Sequence, residues 1–205
     1  MRRWPGSLTN PAALVTAATL SLVLSLAGCS GDDGDDRGEP EAEASTSATA
    51  KEPVAIPSRV EVGEVAGRLG KRPARQVAAD VAEVVDRWLD AAYVAGDYPR
   101  SKFGDAFRGF TKDAAALAAR QRGLMSNRAV GDDVDSVTAT RRVVRVDLLA
   151  PGGKAAGATA HVNLVIKMTG KVDRTDLVRG SVVLTRSGSD WRMFGFDVER
   201  GEVKG

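Results

Sequence analysis

The chain has 205 residues and contains one cysteine and one histidine. A single thiol rules out any disulfide within the chain, so a folded part must hold together by burial alone. One His with one Cys also falls short of the three or four side chains that a zinc centre needs, and no cofactor or metal is expected. Aromatic residues make up only 5% of the chain, enough for a modest core but few for a ligand box. No phosphate-binding loop, dinucleotide fingerprint or nucleophile elbow occurs, so those enzyme classes have no support here. The charge is nearly balanced at +2, and nucleic acid is not an expected partner.

The chain's two ends differ in composition. Arg2 and Arg3 open the sequence, and Pro11 to Leu26 is an uncharged run rich in Ala, Leu, Val, Ser and Thr. Ala27 and Gly28 then precede Cys29. A basic start, an apolar run and a small-residue cleavage region describe a secretory signal peptide. The run is about 16 residues, shorter than the ~20 that span a bilayer as a helix.

Leu26-Ala27-Gly28-Cys29 resembles the lipobox of bacterial lipoproteins. The resemblance implies cleavage before Cys29 and a diacylglyceryl group on its sulfur. It further implies an outward-facing, lipid-anchored protein at the cell membrane. Each buried methylene contributes about 0.8 kcal/mol, and two acyl chains anchor stably where one does not. Residues 1–28 are then the leader.

Residues 29–57 contain eight acidic and two basic side chains, no aromatic and few large aliphatics. Such a composition cannot bury enough surface to offset chain entropy, and predicts a disordered tether. A coil of that length reaches roughly 30 Å. The Gly-Asp-Asp run at 31–36 lacks the twelve-residue alternation of a calcium loop. It reads as a solvated acidic stretch.

Residues 58–205 carry the balancing charge, +6 from 25 basic and 19 acidic side chains, and are long enough for one domain. Anionic lipid or wall polymer would attract them. Arg59 to Gly70 is broken by glycines and predicts a short helix or irregular arm. From Pro73 to Gly96, the spacing of Val77, Val81, Val84, Val85, Trp88, Leu89 and Ala92 predicts one face of a long helix. A short helix with Phe103, Phe107 and Phe110 turned inward is expected next. Thr111 then reads as the N-cap of a helix with Asp113 in its first turn and Leu117, Gln121, Leu124 and Met125 along one side.

The period then changes to two. Ser136 to Leu149 reads as a strand. In 158–168 the alternation sends Ala158, Ala160, Val162, Leu164, Ile166 and Met168 to one face, and Thr159, His161, Asn163, Val165 and Lys167 to the other. A hairpin is predicted to turn at Ser187 to Asp190. The fold class is therefore α+β: N-terminal helices packed on a curved antiparallel sheet of about four strands.

The helix ending in Ala91-Ala92-Tyr93-Val94-Ala95-Gly96-Asp97-Tyr98, with the closing Trp191-Arg192-Met193-Phe194-Gly195-Phe196-Asp197, resembles the nuclear-transport-factor-2-like cone. The motif on the last strand is similar to bacterial secreted members, polyketide-cyclase-like and mammalian-cell-entry-associated proteins among them. The resemblance implies that one sheet face packs on helices and the other lines a cavity, and enzymes of this fold use cavity Asp, Tyr or His as proton shuttles.

The candidate catalytic residues are thus His161, Asp97 and Tyr98, with Tyr93, Asp147 and Asp197 as further polar neighbours. His161 is expected at the cavity mouth or in solvent, Asp97 at the helix stop and Asp197 on a solvent face. Arg141, Arg142 and Arg145 are expected on a solvated face or against an anionic envelope polymer. Three functions remain open: a noncatalytic module binding an envelope protein or apolar ligand, a structural lipoprotein supporting an envelope export or import complex, and a cyclase- or isomerase-like enzyme using His161 with a carboxylate.

Overall fold

A computed structural model describes residues 56–204. The leader, Cys29 and the tether up to residue 55 lie outside the described residues. Five strands form one sheet in sequence order: β1 (Arg59–Gly67), β2 (Val134–Ala150), β3 (Gly157–Gly170), β4 (Arg174–Ser187) and β5 (Asp190–Glu202). The last four run antiparallel, and β1 joins the edge parallel to β2. Three helices, α1 (Lys71–Leu89), α2 (Lys112–Arg120) and α3 (Arg122–Met125), lie between β1 and β2 in the chain. The protein is α+β with a mixed sheet of five strands, one strand more than the alternation predicts.

The extra strand is β1, where a short helix or irregular arm is expected. Glycines at 63, 67 and 70 obscure its alternation, and its ladder partner is some 80 residues downstream, pairing Val60 with Val144 and Val62 with Val146. The register shifts between Val62 and Val65. A side chain at Gly63 would place its Cβ 1.9 Å from the Asp147 carboxylate, so glycine here serves a close approach rather than a turn.

α1 buries Ala78, Val81, Val85, Trp88 and Leu89, each at most 1% exposed. The helix then widens into a π-turn over Asp90–Val94 that carries Ala92 and Tyr93 into the core. Trp88 donates from Nε1 to the Met125 carbonyl at 3.3 Å and meets Tyr93 and Phe110 edge-on, with centroids 5.9 and 5.8 Å away. β3 presents Ala158 to Met168 inward at every second residue, as its alternation predicts. The interior is filled by these side chains with Met125, Leu184 and Met193.

Three expectations change in detail. The segment around Phe103 forms turns rather than a helix, because Pro99, Gly104 and Gly109 interrupt it, although Phe103 and Phe110 are buried. Thr111 occupies the N-cap of α2 without a side-chain cap bond. α2 buries Ala114 and Ala118, while Leu117 is left 40% exposed. Of the expected row, Leu117 and Gln121 face water, whereas Met125, which falls in α3, is buried.

Arg142 is a further correction. The register of β2 shifts between Ala139 and Arg141, and beyond this bulge the even positions point to the helices with Val144, Val146 and Leu148. Arg142 therefore enters the helix side, 3% exposed, and pairs with Asp86 of α1 and Asp90 of the π-turn. A second buried cluster holds Asp176 between Arg174 at 2.9 Å and Arg200 at 2.7 Å.

Candidate functional site

The face of the sheet opposite the helices carries the chemistry. Register lines up Arg145 of β2, His161 of β3, Ser181 of β4 and Asp197 of β5 in one row. Side chains at paired positions project to the same side. Asp147, two residues along β2 from Arg145, reaches diagonally so that its Oδ2 meets His161 Nε2 at 2.8 Å. Its Oδ1 accepts from the Glu64 backbone N–H at 2.8 Å, and the Arg145 guanidinium is 3.5 Å away.

Partial burial pushes the Asp147 carboxyl upward. The Glu64 N–H, His161 and Arg145 outweigh that push and hold it below the usual carboxylate range. The contact gives the Nε2 proton to the carboxylate side and leaves Nδ1 as an acceptor when the ring is neutral. Both side chains remain open to water, at 46% and 29% exposure.

An open groove of about 460 Å³ adjoins Asp147 on this face, lined by Ala66, Leu149, Thr159, Val183 and Phe194. Leu149 and Phe194 are each about half exposed. Phe194 is turned out at the shift in register between Val183 and Leu184 of β4. A larger groove of about 630 Å³ lies between α1, residues 105–109 and the β4–β5 turn. Its charges are partly satisfied within the groove, Arg87 with Glu83 and Arg108 with Asp105.

The sequence candidates do not converge. His161 lies on the outer sheet face, whereas Tyr98 is half-buried on the helix side. The Tyr98 hydroxyl donates to the Tyr93 carbonyl at 2.8 Å and accepts from Asn127 Nδ2 at 3.0 Å. Burial raises its pKa, with Asn127 and Arg100 opposing. Tyr93 donates to the Leu124 carbonyl at 2.6 Å. These tyrosines fasten the π-turn to α3 and the loop after it. Asp97 is exposed at the end of that turn. The carboxylate that His161 meets is Asp147. Both project from the outer face by strand parity, which the sequence carries, but their pairing depends on the β2–β3 register, which it does not.

Among the described residues no three His, Cys, Asp or Glu side chains group as metal ligands, and no helix is long and apolar enough to cross a membrane. No family model matches the sequence, and neither a curated protein nor a solved structure matches the chain.

Proposed function

We propose that the protein is an extracytoplasmic lipoprotein, anchored to the cell membrane through diacylglyceryl-Cys29, whose domain is a noncatalytic binding or envelope-assembly module of the nuclear-transport-factor-2-like cone type. The anchor reading is supported by Leu26-Ala27-Gly28-Cys29 after an uncharged run. The binding reading rests on one observation. The space between helices and sheet is occupied by Trp88, Tyr93, Leu164, Ile166 and Met193, all at most 1% exposed, while half-exposed Leu149 and Phe194 line a groove on the uncovered face. A filled interior offers no water-excluding chamber for chemistry, and an exposed apolar groove on a sheet is a recognition surface.

A photo-crosslinker at Phe194 in intact cells tests this. A discrete adduct that disappears with Leu149→Asp, in a variant of unchanged thermal stability, supports the reading. Absence of any adduct, together with substrate turnover abolished by His161→Ala, refutes it.

The 2.8 Å contact between His161 and Asp147 favours a second reading, a cyclase- or isomerase-like enzyme with His161 Nδ1 as the base beside the groove. The solvent exposure of both groups weighs against it, because a general base gains most where water is excluded. Turnover that falls in both His161→Ala and Asp147→Asn would establish it.

A further inference from the structure

The end of the domain where β1 passes into α1 carries a concentration of positive charge that the fold itself does not use. Arg68, Lys71, Arg72 and Arg75 fall within eight residues and are all exposed. Exposed Lys154 joins them from the β2–β3 loop. That loop is held alongside by the Arg68 N–H donating to the Ala150 carbonyl at 3.2 Å. Among the described residues none of the five cations takes part in an ion pair, a property they share with Lys102, Lys112 and Arg120; what sets them apart is their closeness to one another.

Local energetics oppose this arrangement. The first turn of α1 contains no acid, and its N-cap, Gly70, supplies no side-chain bond. A helix N-terminus favours acids and disfavours cations. Lys71 and Arg75 are also like charges four apart, and Arg72 and Arg75 three apart, which destabilises a helix further. Charges placed against both terms point to a use outside the fold.

Beside them is a shallow, almost wholly apolar groove of about 230 Å³, formed by Val62, Val65, Leu69 and Ala74 with the stems of Lys71 and Arg75. Val60 and Val62 are 41% and 37% exposed at the same edge. Cations around exposed aliphatics suit a surface that is anionic outside and apolar just beneath.

We infer that this end of the domain, Arg68, Lys71, Arg72, Arg75 and Lys154 around Val62 and Leu69, docks on an anionic lipid surface. The inference rests on the anchor reading only in that an acylated Cys29 keeps the domain within tether length of a bilayer, where local concentration favours weak contacts. Docked in this way, the domain's attachment has an electrostatic part that salt screens. A soluble acidic polymer would satisfy the cations but leave the aliphatic groove in water, which is why a lipid surface is the better fit.

The test uses a fragment that begins at Thr49, so that it contains the whole described core. It is mixed with vesicles of phosphatidylglycerol and phosphatidylcholine, and with vesicles of phosphatidylcholine alone. Binding is expected only to the anionic vesicles, weakening as salt rises. Lys71→Glu/Arg72→Glu/Arg75→Glu should lower partitioning at least about a hundredfold, from about fivefold for each basic side chain removed from an anionic surface. Lys102→Glu/Lys112→Glu/Arg120→Glu makes the same change in net charge on exposed residues elsewhere and should retain most binding.

Equal losses in the two triple variants would overturn the inference in favour of net charge alone. So would capture by soluble poly(glycerol phosphate) without vesicle binding, or no binding to either. The mass of Cys29 in the full chain is read separately, so a bare thiol removes the anchor without deciding the vesicle result.

Discussion

Arg142 gives the sharpest test of how α1 is held to the sheet. Its side chain is 3% exposed, while its partners Asp86 and Asp90 are 27% and 39% exposed. Nε and Nη2 reach the Asp86 carboxylate at 3.1 and 3.0 Å, and Nη2 also donates to the Asp86 carbonyl at 2.9 Å. The partners are therefore unequal in what their loss leaves behind. In Asp86→Ala/Asp90→Ala the guanidinium stays buried, and it cannot neutralise itself by losing a proton. A buried charge stripped of its counter-ions costs about 3–5 kcal/mol. In Arg142→Met the apolar stem is kept and two carboxylates remain that can turn toward water, so the cost should be about 1–2 kcal/mol. For a domain of this size each kcal/mol moves the melting temperature by about 2–4 °C. The double aspartate variant should thus melt about 10 °C below wild type and Arg142→Met about 4 °C below. The triple variant should match Arg142→Met, because no orphaned charge remains. Thermal and urea unfolding of the four proteins read these differences. If Arg142→Met proves the least stable, the assignment of the buried partner is wrong.

Other outcomes follow from the same charges. Arg72→Glu exchanges a cation for an acid in the first turn of α1, and should raise stability by about 0.3–1 kcal/mol in low-salt thermal melts; a lowered melting point would mean that Arg72 has an intramolecular partner. Asp147 has a carboxyl held below its usual range, so its contribution is present at pH values above the ordinary carboxylate pKa of about 4 and is lost as pH falls through the lower folded value. Asp147→Asn should flatten that acid limb of the stability profile and speed amide exchange at Glu64, whose N–H it accepts; an unchanged limb would show that the pairing does not fasten β1.

The elements that were legible are those whose neighbours in sequence are neighbours in space. The period of α1 and the parity of β3 each follow from a run of contiguous residues, and the turn at Gly188–Ser189 closes two strands on its own. β1 was not legible in that way. Its alternation is interrupted by Gly63, and its reason for being a strand is β2, far along the chain. Bulges hid the rest. One shift in β2 determines that Arg142, rather than Arg141, enters the helix side, though the parity of Val144, Val146 and Leu148 was a signal for it. Another, opposite Val183 and Leu184, turns Phe194 out to line the groove. His161 stands out in the sequence as the sole histidine, but its partner depends on register between two long strands. Which side chains meet on that face is thus set by long-range pairing, to which residue spacing is blind.

Where the domain is held decides which surfaces and partners it can meet. Mass spectrometry of the peptide containing Cys29, from membranes of cells expressing the full chain, tests this most directly. The expected result is a mature chain that begins at Cys29 with a diacylglyceryl adduct, and a Cys29→Ser variant that leaves the membrane fraction or stays unprocessed. A free thiol with residues 1–28 still attached, in soluble protein, would contradict it.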